Sequence, residues 1–263
     1  MKKTINDIIS LKGNKKIVML SLYEYYFARI ADMADIDIIL VGDSMGNVLY
    51  GYDTTLPVSL DMVINHGAAV VRAVEKPFIV IDMPFLTYQV SIEKAIENAG
   101  LIMQKTGADA VKIETCNEHN LELIRRLVEI GIPVMGHLGL TPQSINMLGG
   151  YRKQGKKEKD AARIFNDALA LQEAGCFSLV LENISYTLGK KITEKLEIPV
   201  IGIGAGPYTD GQVLVLHDIL GIDLRFKPKF VKRYDNFEDK ILNAIRAYKL
   251  DVENGVFPDK DNY

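Results

Sequence analysis

The sequence predicts an α/β protein built as one (β/α)8 TIM barrel. Short apolar segments alternate with helical patterns over the whole chain, which is typical of a parallel sheet with helical crossovers. Most of the apolar segments are near-continuous Val, Ile and Leu, as expected for strands covered on both faces. No GxGxxG motif follows the first strand, and this weakens the alternative of an open, doubly wound dinucleotide-binding sheet.

Seven strand–helix units can be assigned in chain order. Strands are predicted at residues 16–22, 37–43, 77–84, 109–114, 132–139, 177–182 and 198–204. Each is followed by a segment of helical periodicity, at 23–34, 60–74, 91–107, 119–131, 159–175, 187–197 and 211–221. A weaker eighth strand is predicted at 225–231, before a closing helix at 237–255. Two long loops, one after the second strand and one at 141–158, are expected at the mouth of the barrel.

Composition excludes several classes of protein. No linker rich in Pro, Gly or Ser divides the 263 residues, so a single domain over residues 1–263 is predicted. A net charge of −3 argues against a nucleic-acid partner. The segment "MKKTINDIIS" lacks the apolar core of a signal peptide. No apolar run approaches the length of about 18 residues that a membrane helix needs. Cys116 and Cys176 form no CxxC or metal-binding spacing, which favours a reducing compartment. We therefore expect a cytoplasmic protein with no membrane partner.

Four of the predicted strands end in an acid. These residues are Asp43, Asp82, Glu114 and Glu182, on the second, third, fourth and sixth strands. In a (β/α)8 barrel the C-terminal ends of the strands converge on the face that carries the active site. A single acid at such a position is more often a helix or loop cap. Four acids at equivalent positions favour a functional site.

The first three acids predict a metal site. Asp43, Asp82 and Glu114 lie on neighbouring strands, so their carboxylates are expected to approach one another closely. Carboxylates gathered at an apolar mouth repel one another, and either protons or a cation must relieve that repulsion. Oxygen ligands without a Cys or His cluster point to a hard divalent ion, with Mg²⁺ as the first candidate.

Lys112 lies two residues before Glu114, so the two side chains share a face of the strand. A lysine inside a barrel is rare unless it is paired or functional. Three interpretations stay open. In the first, Lys112 is a Schiff-base nucleophile. In the second, it is a fixed cation that receives a substrate carboxylate beside the metal. In the third, it is only the ion-pair partner of Glu114 or Asp82.

Glu182 lies two strands beyond the predicted metal group and is expected to face it across the mouth. That separation suits a general base better than a fourth ligand. His137 ends the fifth strand, between Glu114 and Glu182 around the rim. It is included among the candidate substrate-binding residues, with a role in anchoring the following loop as the equal alternative.

The segment "GIGAG" (202–206) fits a phosphate-binding turn, and equally a tight turn that needs small residues.

Five segments resemble the ketopantoate hydroxymethyltransferase family. They are "VGDSMGNVLYGYDTTLPVSLDM", "IDMPF", "VKIE", "GHLGLTPQSINMLGGYRKQG" and "IPVIGIGAGPYTDGQVLVLHDILG". The resemblance implies a (β/α)8 barrel of the phosphoenolpyruvate/pyruvate type, assembled as a homodecamer. It also implies transfer of a one-carbon unit from 5,10-methylenetetrahydrofolate to 3-methyl-2-oxobutanoate through an enolate stabilised by Mg²⁺. The product, 2-dehydropantoate, is a precursor of pantothenate and coenzyme A.

The family's pattern assigns roles to the matching positions of this sequence. It implies that one Mg²⁺ per subunit is served by Asp43, Asp82 and Glu114. It implies that the keto acid is contacted by Asp43, Ser44, Asp82 and Lys112. It implies that Glu182 accepts the proton. One departure is visible, because Asn183, Ile184 and Ser185 follow Glu182 where members often have a Cys-Val-Pro type turn, and this leaves the local loop shape open.

Other functions remain possible at this point. The runner-up is another Mg²⁺-dependent lyase or mutase that acts on a 2-oxo acid on the same barrel and needs no folate. A Schiff-base aldolase would act through Lys112 and would ignore removal of the metal. A catalytically silent barrel that serves as a scaffold or a ligand-binding protein would have no reason to keep the full set of acids and Lys112.

Overall fold

The computed structural model describes residues 1–222 and 228–262, and its sheet is a closed barrel of parallel strands. The strands follow one another around the barrel in chain order, and the last pairs with the first. They are β1 (Ile17–Ser21), β2 (Ile38–Val41), β3 (Phe78–Asp82), β4 (Ala110–Glu114), β5 (Val134–Gly139), β6 (Ser178–Glu182), β7 (Val200–Ile203) and β8 (Gly211–Val215). The predicted (β/α)8 barrel is confirmed.

Helices precede the barrel, connect its strands and lie within its two long loops. Those in the barrel region are α1 (Ile5–Ser10), α2 (Tyr25–Met33), α3 (Met45–Val48), α4 (Leu60–Ala73), α5 (Ile92–Thr106), α6 (Glu118–Glu129), α7 (Ile145–Leu148), α8 (Glu158–Glu173) and α9 (Tyr186–Lys195). Short α3 lies in the loop after β2, and a 3-10 helix (Pro142–Ser144) precedes α7 in the loop after β5. Several helices begin at a side-chain cap; the Ser59 hydroxyl, for example, accepts the Met62 N–H at the start of α4.

The eighth strand is not where the sequence predicts it. The segment 211–221, predicted as one helix, contains a strand followed by a helix. The structure instead forms β8 at Gly211–Val215 and begins α10 (Leu216–Leu220) directly after it. Residues 228–231 are not in a strand, and 225–227 lie outside the described residues. The segment "VLVLHDIL" is apolar at most positions, so its periodicity could not separate a buried strand from a buried helix.

The barrel interior is filled mainly by alternate residues of the strands, together with Ile8 of α1. The apolar core consists of Ile8, Ile17, Met19, Ile38, Leu40, Phe78, Val80, Ala110, Met135, Phe177, Val180, Ile201 and Val213. Phe78 and Phe177 meet edge to face, with their ring centroids 5.4 Å apart. A TIM-barrel interior of this kind is a packed core, and polar groups can gather only at its ends.

The chain divides into two compact units, Met1–Val215 and Leu216–Tyr263. The second unit contains α10 and α11 (Phe237–Glu253), and α11 begins at Asn236, whose side chain accepts the Asp239 N–H. The single domain over residues 1–263 stays a prediction. Within the two described ranges, none of the helices combines the length and the apolar character that crossing a membrane requires.

Candidate active site

On several strands, the side chains that point into the barrel are apolar in the core and polar at the C-terminal mouth. In β3 the row runs through Phe78, Val80 and Asp82, because side chains two positions apart share a face. The corresponding rows of β4, β5 and β6 end in Lys112 and Glu114, in His137, and in Glu182. Strand pairing sets Asp82 directly beside Lys112 and Glu114 directly beside His137.

Lys112 lies among the carboxylates. Its Nζ is 2.8 Å from Asp82 Oδ1 and 4.0 Å from Glu114 Oε1. Asp43 comes one residue after the inward-facing position of Gly42, and its backbone N–H donates to Asp82 Oδ2 at 3.0 Å. All four side chains are buried. The structure therefore brings these four residues together at the mouth of the barrel.

Burial shifts the pKa values of this cluster. Burial raises the pKa of Asp43 well above its usual range, and the neighbouring charges of Asp82 and Glu114 raise it further. The pKa of Glu114 rises to about 7, chiefly through burial, although Lys112 opposes the shift. Burial alone would lower the pKa of Lys112, but the carboxylates of Asp82, Glu114 and Asp43 outweigh it and raise that pKa. Lys112 is therefore a permanent cation at neutral pH.

His137 lies between Glu114 and Glu182. Its Nδ1 is 3.2 Å from both Lys112 Nζ and Glu114 Oε1, and its Nε2 is 3.3 Å from Glu182 Oε2. Burial, together with the charge of Lys112, lowers the pKa of His137, so the ring is neutral at pH 7. Because Lys112 donates to Nδ1, the proton of the neutral ring lies on Nε2 and faces Glu182. This close contact places the Glu182 carboxylate beside the imidazole ring.

The residues present fit a bound Mg²⁺. Asp82 Oδ1 is buried, and its close partner is the Lys112 ammonium group at 2.8 Å. The donor set is carboxylate oxygen, which Mg²⁺ prefers. Within residues 1–222 and 228–262, no three His, Cys, Asp or Glu side chains are arranged to coordinate one ion together. Mg²⁺ is usually held by one or two carboxylates, with water and substrate oxygens completing its shell, so the site does not need three protein ligands.

Mg²⁺ affinity is expected to fall as the pH drops through about 7, the pKa of Glu114. Below that pH Glu114 is mostly protonated and at pH 8 it is mostly ionised, and a cation binds the ionised form. Each proton that the ion must displace lowers the affinity up to about tenfold per pH unit. Calorimetric titration with Mg²⁺ at pH 6 and pH 8 measures this, with Glu114→Gln as the variant expected to lose part of the dependence. Equal affinities at the two pH values would contradict the prediction.

Ser44 is held by two hydroxyl groups from the end of β1. Its Oγ is 2.6 Å from Tyr23 Oη and 3.5 Å from Ser21 Oγ. Tyr23 is fully buried, and its carbonyl oxygen is 2.8 Å from His66 Nδ1. The Ser44 hydroxyl therefore has a fixed place beside Gly42, at the edge of the carboxylate cluster.

Two residues that touch the cluster, Gln143 and Tyr88, are absent from the sequence-based predictions. Gln143 donates to Asp43 and Glu114, and the Tyr88 hydroxyl donates to Gln143. The only local signal for Gln143 was its place in the long loop at 141–158, since its partners lie as far as 100 positions away.

The turn after Glu182 adopts a shape that its own residues support. Asn183 has a φ of +46°, in the left-handed region that Asn tolerates better than most residues. Ile184 is fully buried, and the Ser185 hydroxyl accepts the Leu188 N–H at the start of α9. The Asn-Ile-Ser segment thus makes a turn, a packing contact and a helix cap directly after the acid.

Gly139, the residue paired with Glu182 in the barrel, requires the absence of a side chain. Its φ is +100°, and a Cβ at this position would overlap the Glu182 carbonyl oxygen. Gly139→Ala is therefore expected to lower the free energy of unfolding by about 2–5 kcal/mol, combining backbone strain with overpacking. Gly149→Ala is the matched control, because Gly149 also has a positive φ of +67° but has open space around its Cβ position.

Urea denaturation of the two glycine variants measures the difference. Gly149→Ala should lose only the cost of the left-handed backbone, about 1–2 kcal/mol. Equal losses in Gly139→Ala and Gly149→Ala would show that close contact with Glu182 does not limit this position.

Comparison with known proteins agrees with the motif resemblance. The profile of the family described as ketopantoate hydroxymethyltransferase matches residues 2–260. A 3-methyl-2-oxobutanoate hydroxymethyltransferase of Thermosipho africanus is 52% identical over 98% of this chain and 97% of its own length. The enzyme of the same name from Geobacter metallireducens is 52% identical, with 98% and 97% covered.

Solved structures of more distant proteins share the fold. A phosphonopyruvate hydrolase in complex with oxalate and Mg²⁺ superposes with a TM-score of 0.64 at 11% identity, covering 99% of this chain and 93% of that one. A 2,3-dimethylmalate lyase of the PEP mutase/isocitrate lyase superfamily gives a TM-score of 0.62 at 13% identity, covering 99% and 91%. These likenesses concern the barrel alone. The match over nearly the whole sequence goes further: the chain belongs to the ketopantoate hydroxymethyltransferase family.

Proposed function

We propose that this chain transfers the one-carbon unit of 5,10-methylenetetrahydrofolate to 3-methyl-2-oxobutanoate and produces 2-dehydropantoate. The observation that carries the proposal is the division of the barrel mouth into two parts. On one side a buried lysine lies among the carboxylates of Asp82, Glu114 and Asp43. Across from them Glu182, with its side chain 16% exposed, is more open to solvent than those groups.

The first part of the site suits a 2-oxo acid. Lys112 supplies a fixed positive charge for the substrate carboxylate, and the Ser44 hydroxyl lies at the cluster's edge as a hydrogen-bonding group. Asp43, Asp82 and Glu114 would serve the Mg²⁺ site. When bound, the ion would supply the positive charge that stabilises negative charge developing on the keto oxygen.

The second part of the site suits removal of a proton from carbon. Glu182 accepts the proton from C3 of the keto acid, and the electron pair of that C–H bond forms the enolate. Water adds to the methylene carbon of the folate and both C–N bonds of that carbon break, which leaves tetrahydrofolate and formaldehyde. The enolate carbon then bonds to the formaldehyde carbon, and the oxygen that came from water takes up a proton and becomes the new hydroxyl group. The neutral His137 ring, whose Nε2 proton faces Glu182, holds the carboxylate toward the cavity.

The charge on Lys112 favours this mechanism over a Schiff-base aldolase. A lysine nucleophile must lose its proton, and enzymes achieve this by lowering its pKa. Here the surrounding carboxylates raise the pKa of Lys112 instead. We therefore assign Lys112 the role of a fixed cation, and no covalent intermediate with the enzyme is required.

Proton exchange at C3 of 3-methyl-2-oxobutanoate in D₂O tests the proposal. We expect exchange with Mg²⁺ alone, loss of exchange with EDTA, and formation of 2-dehydropantoate only when the folate donor is added. Exchange together with cleavage or rearrangement of a 2-oxo acid without folate would favour a lyase or mutase instead. No exchange with Mg²⁺ present would favour a silent barrel.

Assembly and location extend the same proposal. By family resemblance we propose a homodecamer with one Mg²⁺ per subunit, working in the cytoplasm. Helix α11 offers apolar surface that contacts between subunits would bury, because Ile241, Ile245 and Tyr248 are all exposed.

A further inference from the structure

Gln143 is a buried side chain that joins the loop after β5 to the carboxylates of the site. It lies in the 3-10 helix Pro142–Ser144 and is 6% exposed. Its Nε2 donates to Asp43 Oδ2 and to the carbonyl oxygen of Met83, both at 2.9 Å. Its backbone N–H donates to Glu114 Oε2 at 3.0 Å. One residue thus holds one oxygen of each of two carboxylates that come from different strands.

The orientation of the Gln143 amide is fixed by Tyr88. The buried Tyr88 hydroxyl donates to Gln143 Oε1 at 2.7 Å. With Oε1 fixed as the acceptor, both hydrogens of Nε2 are committed to Asp43 and Met83. A flipped amide would bring its oxygen against two other acceptors, so the arrangement allows one orientation only.

We propose that Gln143 is a positioning residue for the reaction, which orients Asp43 and Glu114 for Mg²⁺ and fixes the 141–158 loop to the site. The inference rests on the proposed function, in which these carboxylates serve the ion. A neutral donor suits the task, because it orients the carboxylates without cancelling the negative charge that attracts a cation. Groups that hydrogen-bond a ligating carboxylate commonly determine metal affinity in this way.

The same loop is held again near its other end, beside Glu182. The Gln154 N–H donates to the Asn183 carbonyl at 2.9 Å, and Gln154 forms a parallel bridge with Ile184. The loop therefore connects the carboxylate cluster to the strand end that carries the proposed base. Loss of the Gln143 contacts is expected to loosen the segment between these two attachments, which contains Arg152 and Lys153.

Gln143→Met tests the inference, because methionine has a similar length but cannot donate a hydrogen bond. Gln154→Met is the matched control on the same loop, where the Gln154 amide only bonds the exposed carbonyl of Arg152 among the contacts described. Calorimetric titration with Mg²⁺ in the absence of substrates is expected to show an affinity about 10–100-fold lower in Gln143→Met. In Gln154→Met the affinity should stay within about twofold of the wild type. Trypsin should also cut after Arg152 and Lys153 faster in Gln143→Met.

An unchanged Mg²⁺ affinity in Gln143→Met would overturn the inference, even if that variant were less stable. If Gln143→Met does not fold, Tyr88→Phe replaces it, because it removes only the hydroxyl that orients the amide. A lower affinity in Tyr88→Phe supports the inference and an unchanged one overturns it. If the wild type itself binds no Mg²⁺, the proposed metal site fails, and the inference fails with it. If the wild type binds Mg²⁺ and the variants bind it equally well, only the inference about Gln143 is wrong.

Discussion

Replacing Glu182 with Gln is expected to slow exchange of the C3 proton of the keto acid by about 10²–10⁴-fold, the usual contribution of a positioned general base. The amide has nearly the same shape as the carboxylate but cannot accept a proton from carbon. Binding of the keto acid should change little, because the lysine and the carboxylates proposed to bind it lie on the other side of His137.

Exchange is followed by proton NMR in D₂O, and binding of the keto acid is measured by calorimetry on the same preparations. Glu118→Gln is the control, because Glu118 is an exposed acid in the first turn of α6, only four residues after Glu114. It removes the same charge near the same barrel face without touching the cluster. Exchange at the wild-type rate in Glu182→Gln would eliminate Glu182 as the base. Loss of binding along with exchange would instead place Glu182 among the substrate contacts.

Asp82, Glu114 and Glu182 could be found from the sequence because strand geometry fixes both their place and their direction. Asp43 lies beyond the end of β2 and one residue out of step with its inward row, so this geometry gave its place but not its direction. A strand that ends "VID" or "VKIE" delivers its last side chain to the C-terminal mouth, and the two-residue repeat sets which neighbours point inward. This is why the spacing of Lys112 and Glu114 was enough to assign them to one face. The family resemblance added the substrate and the folate, which periodicity alone cannot supply.

Other features could not be predicted because they depend on contacts across the fold. Gln143 reaches Asp43 over 100 positions of sequence, and no local pattern marks a loop glutamine as buried. The proton position on His137 depends on Lys112 of the neighbouring strand. The eighth strand could not be placed because the apolar segment after Gly211 fits a buried helix as well as a buried strand. The need for glycine at position 211, where a Cβ would lie 2.5 Å from the Ile17 carbonyl oxygen, appears only when β8 pairs with β1.

Asp82→Asn is expected to weaken binding of Mg²⁺ and of the keto acid together, and to lower the free energy of unfolding by about 3–5 kcal/mol as a broken buried ion pair. Asp82 Oδ1 faces the Lys112 ammonium group, and Oδ2 accepts the Asp43 N–H. Asparagine has one side-chain oxygen, so in either orientation one of its N–H groups faces a donor. Lys112 also loses its closest counterion, and its charge then has only Glu114 at 4.0 Å among the ion pairs of the described residues.

Asp37→Asn separates the effect on stability from the effect on the site. Asp37 is also buried, accepts a backbone N–H from the neighbouring strand and pairs with a lysine, but it precedes β2 and so lies at the opposite end of the barrel. We expect Asp37→Asn to be less stable than the wild type in urea while it titrates Mg²⁺ and the keto acid normally. If Asp82→Asn also bound Mg²⁺ and the keto acid normally, its lower stability would be a packing effect. Asp82 would then not be a ligand of the ion. Loss of both ligands in Asp82→Asn alone would instead mean that one carboxylate links the metal site to the lysine that receives the substrate.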